Sequence, residues 1–334
     1  MKRLISLFLI FILCALLTSC SPDREKVTLY YDYDMNDFIS VGDYSVEVKR
    51  DSDEYIKAYI DFYDDTFEED LSETLTEGVV KIGDEANIHI YGTYKGKDFD
   101  GGTSLDYNLR VGKGLFTVEG FERGLVGAKI GSEITLNLTL PENYHNLELA
   151  GKDVTYLVRI NYVKRFNEPT NSQSRKYGFD SYDDYKKQTD DFCIGVCIFN
   201  SAYDAMKINS YPKSELEEMV SNLYDTYKRR CSEKGMTVEN YVASLDWTME
   251  EFMDTLYESV QYDSTKMPRY MLSYYILEET DNKLTQQEIE NYKAKLINEN
   301  GEDLEASRIY NITISSFAAY EKALSVCRGM AVVK

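Results

Sequence analysis

The stretch 83–165 constrains the fold of this chain more than any other part. Within it, apolar and polar residues alternate over the short runs 88–91, 134–140 and 154–162, a pattern typical of half-buried antiparallel strands. Glycine-rich turns separate these runs, and the one helix-like piece, 120–126, is only a turn or two long. The pattern predicts a curved antiparallel sheet with a short helix laid across it.

Length, composition and charge limit the number of compact units in the chain and the kinds of partner that it can bind. The chain has 334 residues, 43% of them hydrophobic, which is enough for two or three compact units with separate cores. Its formal net charge of −21 makes nucleic acid and anionic lipid poor partners, and the densest basic cluster is only Lys228, Arg229 and Arg230. We therefore expect no nucleic-acid partner.

The N-terminus has the pattern of a targeting segment. Lys2 and Arg3 precede an apolar run at 4–17, and the tetrapeptide LTSC that ends at Cys20 resembles the bacterial lipobox. A transmembrane anchor is the alternative, but the run is shorter than the ~20 residues that a span needs. The sequence predicts a lipoprotein signal peptide at 1–20, lipidation of Cys20, and an extracytoplasmic protein that is lipid-anchored to the bacterial cell membrane.

Residues 21–80 are predicted to be a tether followed by a small strand and helix segment. The stretch 21–40 is polar and acidic, and we interpret it as a solvated spacer. The pattern Asp-x-Asp-x-Asn at 32–36 also matches the start of a calcium loop, but Asp stands where that loop needs its Gly and its final Glu. A strand candidate at 44–49 and a helix opened by Ser52 follow.

The cysteines beyond the signal peptide do not form a disulfide framework, because they are too few for a chain of this length. They are Cys193, Cys197, Cys231 and Cys327. Cys193 and Cys197 would lie on one face of a helix predicted over 192–206, which does not favour disulfide geometry. A redox or metal site at this pair would need further ligands, but the chain has only two histidines, His89 and His145. The thiols are therefore predicted to be small apolar core residues.

Six motifs within 83–165 carry a resemblance to a known family. In chain order they are GDEANIHIYG, GKDFDGG, VGKG, EGFERGLVG, LPENYH and LAGKDVTYLVRI. They are similar to the peptidyl-prolyl isomerase domain of trigger factor, a member of the FKBP fold. The resemblance implies an FKBP-type peptidyl-prolyl isomerase domain at 81–165, with an antiparallel sheet wrapped around a short helix and an apolar groove that takes a proline side chain.

Carried over position by position, the resemblance implies which side chains line the groove. These are Phe99, Asp100, Tyr107, Val118, Phe121, Tyr144 and Tyr156. Aromatic residues of a small β-rich domain are core more often than not, so spacing alone would not single them out. Tyr144 would lie in the loop that borders the site, and Phe121 would form the groove floor.

The implied chemistry needs no nucleophile, metal or cofactor, and none is predicted. Amide resonance makes rotation about an X-Pro bond slow, so that uncatalysed isomerisation takes roughly tens to hundreds of seconds. An apolar cleft that removes water from the imide carbonyl, and that fits the twisted bond better than either planar isomer, lowers this barrier by differential binding.

The sequence departs from the family pattern at two places in the groove. Thr117 is an extra residue between the Gly-x-Gly turn and the short helix, and Glu119 stands where the family has Pro; the insertion is predicted to form a bulge. Ile90 stands where the family commonly has an aromatic residue. Loss of that ring predicts an active isomerase that is weakened by about one order of magnitude.

The stretch 166–334 is predicted to be helical after a polar linker, NEPTNSQSRKYGFDS. Capping boxes of the form Ser/Thr-x-x-Glu open three helices, at Ser214, Thr248 and Thr285. Pro268 should kink or end the helix that begins at Thr248. The order of these helices resembles the substrate-holding domain of trigger factor and related exported chaperones, whereas 21–78 has no counterpart of the ribosome-docking domain. The fold class is therefore α+β, with the FKBP-like sheet followed by an all-α chaperone-like domain.

Two classes of function compete. In the first, the protein is an extracytoplasmic foldase that isomerises X-Pro bonds while its helical domain holds unfolded or proline-containing exported polypeptides; no ribosome is a partner. In the second, the FKBP-like domain is a binding module, and the protein is a non-catalytic chaperone or surface lipoprotein. A hydrolase is disfavoured because two histidines without a nucleophile pattern leave little from which to build a triad.

Overall fold

A computed structural model of the chain describes residues 34–67, 71–300 and 311–333. The predicted signal peptide, its lipidation site Cys20 and most of the predicted tether lie outside these residues. Across the described ranges, no helix is long and apolar enough to cross a membrane.

The helices follow a 3₁₀ turn at Met35–Asp37. They are α1 Asp53–Thr66, α2 Phe121–Leu125, α3 Asn171–Lys176, α4 Tyr182–Asp204, α5 Lys213–Glu233, α6 Val238–Ser244, α7 Met249–Tyr262, α8 Met267–Glu279, α9 Gln286–Asn300 and α10 Asn311–Met330. The strands are β1 Ile39–Val41, β2 Glu47–Val48, β3 Ser72–Leu75, β4 Glu85–Tyr94, β5 Lys97–Arg110, β6 Glu133–Thr139, β7 Asp153–Phe166, β8 Met206–Ile208 and β9 Val332–Val333. This mixture of an antiparallel sheet and a helical C-terminal region confirms the predicted α+β class.

The chain divides into two compact units. Of the described residues, those of 45–201 and 327–333 form the sheet unit, and those of 34–44 and 202–326 form the helical unit. The sheet unit extends beyond both ends of the domain predicted at 81–165. The boundaries taken from the sequence stay predictions.

The sheet of the sheet unit is antiparallel, with the strand order β3-β7-β4-β5 and with β6 also paired to β7. The side chains of β6 alternate between half-buried and exposed along the strand, which is the period-two pattern of its sequence. The runs predicted as strands at 88–91, 134–140 and 154–162 are confirmed as parts of β4, β6 and β7. The helix-like piece at 120–126 is confirmed as α2, which Gly120 and Val126 flank as caps.

The core of this unit is formed by side chains of the sheet together with Phe121 and Leu125 of α2. Its fully buried side chains are Ala86, Ile88, Leu109, Val111, Phe121, Leu125, Val158, Ile160 and Val163. Gly124 lets α2 approach β6 closely, because a Cβ at this position would lie 2.7 Å from Cδ2 of Leu136. Burial of these apolar side chains, at about 1.5–3 kcal/mol for each large one, is the main source of stability for the sheet.

Polar contacts between side chains also fix the strand register. The amide of Asn161 on β7 donates to Oδ1 of Asn87 on β4 at 2.7 Å, and the amide of Asn87 donates to Oδ1 of Asn108 on β5 at 2.8 Å. Arg165, near the end of β7, makes a bidentate pair with the buried carboxylate of Asp84 at 2.7 and 2.8 Å. These pairs span three neighbouring strands, so a slip in register would break them.

Elements before and after the sheet depart from several predictions. The strand predicted at 44–49 shrinks to β2, whereas the helix opened by Ser52 is confirmed as α1, with the Ser52 side chain accepting the Tyr55 N–H. Strand β3 was not predicted, and it pairs with the last four residues of β7. The polar linker also contains a helix, α3, because Thr170 and Gln173 form a capping box there.

Two of the three predicted capping boxes are confirmed in the helical unit. Thr248 and Glu251 exchange hydrogen bonds at the start of α7, and Thr285 and Glu288 do so before α9. The capping box predicted at Ser214 is wrong, because the N-cap of α5 is Pro212, two residues earlier, and the Ser214 hydroxyl donates to a neighbouring carboxylate instead.

Proline and cysteine also behave largely as the sequence predicts. Pro268 separates two helices, although α7 already ends at Tyr262 and the proline occupies the first turn of α8. The four thiols beyond the signal peptide are buried and free. The prediction that they are core residues is confirmed.

Candidate functional site

Five aromatic rings from β5, β7, α2 and the loop 111–120 meet at one place in the sheet unit. Tyr156 of β7 lies at the centre of this aromatic cluster. Its ring centroid is 6.2 Å from that of Phe99, 5.4 Å from that of Phe121 and 6.1 Å from that of Phe116, with edge-to-face angles of 70°, 88° and 84°. Tyr107 completes the cluster at 6.4 Å from Phe116. Edge-to-face packing of this kind fixes ring orientations more strictly than aliphatic contacts do.

Two glycines make room for the Phe99 ring against the backbone of the sheet. A Cβ at Gly92 of β4 would lie 2.8 Å from the Gly102 carbonyl oxygen and 3.0 Å from the Phe99 ring. A Cβ at Gly102 of β5 would lie 3.0 Å from the same ring. Because only glycine avoids these overlaps, the two positions hold Phe99 beside Tyr156.

The loop 141–151 borders the cluster near Asp100 and Gly101 of β5. A Cβ on Gly101 would lie 3.5 Å from the Tyr144 hydroxyl. Burial raises the pKa of Tyr144, and the nearby Asp100 carboxylate raises it further. Burial, with a smaller contribution from Tyr144, raises the pKa of Tyr156 to about 12. Both phenols are therefore neutral at physiological pH, and each can donate a hydrogen bond to a carbonyl oxygen.

Phe116 is the member of the cluster that sequence reasoning missed. Its ring stacks on that of Phe121, with centroids 3.7 Å apart and an angle of 17° between the planes. Phe121 is 0% exposed, whereas Phe116 is half-buried. The available signal was its place two residues after the Gly-x-Gly turn, between the motifs VGKG and EGFERGLVG.

Glu122 fixes the loop that presents Phe116. One carboxylate oxygen accepts the N–H groups of Gly112 and Gly114 at 2.7 and 3.1 Å, and the other accepts the N–H of Phe116 at 2.9 Å. Glu122 follows Phe121 in α2 and is only 8% exposed. A carboxylate that accepts several backbone N–H groups makes stronger hydrogen bonds than a neutral acceptor does, so the loop is firmly held.

The residues predicted from the resemblance do not all lie in one place. Phe99, Tyr107, Phe121 and Tyr156 join the aromatic cluster, and Tyr144 lies in the bordering loop. Val118 is buried in the core beneath α2, and Asp100 is exposed at the rim. Their roles in binding stay predictions.

The two departures from the family pattern also have structural outcomes. Ile90 is buried in the core of the sheet at 3% exposure. Thr117 lies in an irregular part of the chain outside any strand, so the predicted β-bulge is wrong. A bulge needs a paired strand, and the loop 111–120 is held by the Glu122 carboxylate instead of by a partner strand.

Parts of the chain are similar to known proteins. Residues 77–161 match the family model of the FKBP-type peptidyl-prolyl cis-trans isomerase. The chain is 28% identical over 232 residues to trigger factor of Shouchella clausii, an alignment that covers 65% of this chain and 52% of the relative. It is 45% identical over 93 residues to trigger factor of Staphylococcus carnosus, which covers 28% of this chain and 21% of the relative.

The match is partial in length. The chain spans about half or less of the length of these relatives. A solved chain of the trigger factor chaperone aligns over 87% of this chain and 72% of its own length, but at 18% identity and a TM-score of 0.28 it carries no weight for the fold. On the family match and the relatives, residues 77–161 are similar to FKBP-type peptidyl-prolyl cis-trans isomerase domains, and the chain resembles trigger factor over part of its length.

Proposed function

We propose that this protein is an extracytoplasmic foldase that catalyses cis–trans isomerisation of X-Pro peptide bonds in exported polypeptides. The single observation that supports this most is the cluster of Phe99, Phe121 and Tyr156 inside the FKBP-type domain. Aromatic walls of this kind suit a proline ring, which is apolar and has no N–H to satisfy.

Catalysis would follow from desolvation and differential binding. A proline ring placed against Phe99 and Tyr156 brings its imide bond into an apolar environment, where the polarised planar amide loses its solvation by water. The neutral hydroxyls of Tyr144 and Tyr156 are available to orient the carbonyl of the residue before proline. The barrier of roughly 20 kcal/mol falls by whatever the groove gains from fitting the twisted bond better than either planar isomer.

An isomerisation assay on an X-Pro tetrapeptide tests this proposal. We expect the full chain to accelerate the exchange between cis and trans above the uncatalysed rate, and Phe99→Ala to lower kcat/KM by about tenfold. Leu105→Ala is the matched control, because Leu105 is on the same strand but is 56% exposed and outside the cluster. A background rate for the unmodified chain would overturn the foldase proposal.

A second candidate is a polypeptide-binding module without catalysis. The observation that favours it is the complete burial of Phe121 beneath Phe116, which leaves the predicted groove floor covered. The protein would then be a non-catalytic chaperone or a surface lipoprotein. Binding of proline-containing peptides without any acceleration of exchange would identify this case.

We also propose that the helical region holds unfolded clients. The trigger factor relatives support this, as does the partly exposed apolar surface of the helical unit, where Tyr262 is 73% exposed and Met236 38%. Suppression of aggregation of a denatured model protein tests it. We expect Tyr262→Ser to weaken the suppression while the isomerisation rate on a short peptide stays unchanged. Equal suppression by wild type and variant would remove Tyr262 from the client surface.

Location rests on the lipobox alone. We propose that Cys20 is lipidated, that residues 1–20 are removed, and that the protein acts outside the cytoplasm with no ribosome as a partner. Cys20→Ala should abolish the mass increase from lipidation and release the protein from the membrane fraction. An unchanged mass and unchanged membrane association would contradict the anchor.

A further inference from the structure

The stack of Phe116 on Phe121 places a side chain of the protein itself over the groove floor. The rings lie 3.7 Å apart and are nearly parallel, which is the contact that the flat face of a bound proline ring would otherwise make. Tyr107 and Tyr156 flank the Phe116 ring at 6.4 and 6.1 Å. Phe116 therefore covers one face of the fully buried Phe121 ring.

Hydrogen bonds hold the backbone of Phe116, whereas ring contacts hold its side chain. The Phe116 N–H is bound to the Glu122 carboxylate at 2.9 Å, and the same carboxylate holds Gly112 and Gly114. Phe116 is half-buried, and its neighbour Leu115 is 58% exposed, so the loop borders solvent at this point. Rotation about the Cα–Cβ bond of Phe116 can therefore move the ring outward without loss of the hydrogen bonds to Glu122.

From this geometry we propose that Phe116 is a gate that competes with the substrate proline for the face of Phe121. The inference rests on the proposed function, because it names how that same site is regulated. In the closed state the Phe116 ring covers Phe121; in the open state the ring has rotated outward and a proline ring takes its place. The apparent affinity for an X-Pro peptide is then the intrinsic affinity reduced by the fraction of molecules whose gate is open.

The gate and an ordinary groove wall predict opposite results for the same substitution. If Phe116 is a wall, Phe116→Ala removes a contact with the peptide and weakens binding. If Phe116 is a gate, the substitution removes the competitor. The loss of one aromatic stack then tightens peptide binding by about three- to tenfold. Phe116→Leu, which keeps apolar bulk but not the flat ring, should give an intermediate affinity.

The test is a nuclear magnetic resonance titration of the full chain with the tetrapeptide Ala-Leu-Pro-Phe, with the cis–trans exchange rate measured on the same samples. We expect Phe116→Ala to lower Kd and to raise kcat/KM, each by about three- to tenfold, while the exposed neighbour Leu115→Ala changes neither. Circular dichroism checks that each variant is folded. If Phe116→Ala does not fold, Phe116→Leu replaces it in the test.

The outcomes separate the gate from the proposed catalysis. Tighter binding by Phe116→Ala without acceleration of exchange by any variant supports the gate and refutes the foldase. If wild type accelerates exchange, and Phe116→Ala neither raises this rate nor tightens peptide binding, the gate is overturned and the foldase proposal stands. If no variant binds the peptide, both are overturned.

Discussion

The carboxylate of Glu122 accepts the backbone N–H of Phe116 at 2.9 Å, so the residue that follows Phe121 in the short helix α2 holds the residue that stacks on Phe121. One side chain thereby couples the groove floor to the loop above it. Glu122 also accepts the N–H groups of Gly112 and Gly114. The carboxylate therefore helps to place Phe116 where its ring can stack on Phe121.

Glu122→Gln should destabilise the sheet unit by about 2 kcal/mol, because the neutral amide weakens three charge-assisted hydrogen bonds and brings an N–H₂ group toward backbone donors. Urea unfolding of the full chain, followed by near-ultraviolet circular dichroism, measures this loss. Glu119→Gln is the matched control, because Glu119 is an exposed carboxylate in the same loop. Equal midpoints for the two variants would mean that the loop does not depend on the Glu122 charge.

Gly92→Ala should be more damaging than its small size suggests. The new methyl group would lie 2.8 Å from both the Gly102 carbonyl oxygen and the Tyr156 ring, so the Phe99 and Tyr156 rings must shift. We expect a loss of about 1–3 kcal/mol in the free energy of unfolding and weaker peptide binding, measured by denaturant titration and by peptide titration. Gly329→Ala is the control, because nothing lies within 4 Å of a Cβ at that helical position. A harmless Gly92→Ala would show that the rings are not confined.

The sequence predicted the parts of the sheet unit where a single periodicity dominates. β4, β6 and β7 alternate apolar and polar residues, and Gly120 marks the start of α2, so each element was found close to its position. β3 was missed because Ser-Glu-Thr-Leu has too few apolar residues to show alternation. Its pairing depends on the end of β7, which is distant in sequence.

The site residues were predictable only at positions within the motifs that carry the family resemblance. Phe99, Phe121 and Tyr156 were identified from motifs, whereas Phe116 looks like any loop aromatic until its stack on Phe121 is seen. Glu122 was missed because a charged side chain on a short helix is normally solvated, and its three backbone donors come from residues up to ten positions earlier. Ser214 was wrongly assigned as a cap because the N-cap of α5 is Pro212, two residues before the position that the capping-box pattern indicates.

The buried thiols should be inert in the native protein. Burial raises the pKa of Cys193 and Cys327 to about 12 and that of Cys197 to about 11, and it raises the pKa of Cys231 as well. Because the thiolate is the reactive form, a thiol-specific dye at pH 8 should label almost none of these cysteines in a chain that begins at Ser21. Guanidinium at roughly 6 M, which unfolds most domains, should make all four cysteines accessible to the dye. Rapid labelling without denaturant would contradict the burial of α4 and α10.

The helical unit contains a carboxyl group that is costly to ionise. Glu215 lies in the first turn of α5 and is 0% exposed. The Ser214 hydroxyl donates to its Oε2 at 2.7 Å, whereas its Oε1 has no hydrogen-bond partner in the described part of the chain. Burial raises the pKa of Glu215 to about 7, from an ordinary value of 4.5.

Glu215 should therefore make the helical unit less stable as the pH rises. Its pKa is higher in the folded state than in the unfolded state, so the folded protein holds a proton that the unfolded chain releases above about pH 4.5. The cost grows between pH 4.5 and 7 and is complete above pH 7, at roughly 1–3 kcal/mol. Glu215→Gln, which mimics the protonated form, should raise the Tm at pH 8 and leave it almost unchanged at pH 4.5. Glu217→Gln, at an exposed position on the same helix, should show no such difference between the two pH values. Differential scanning calorimetry of the full chain at both pH values measures this, and an equal effect of Glu215→Gln at pH 4.5 and pH 8 would show that ionisation of Glu215 is not the cause.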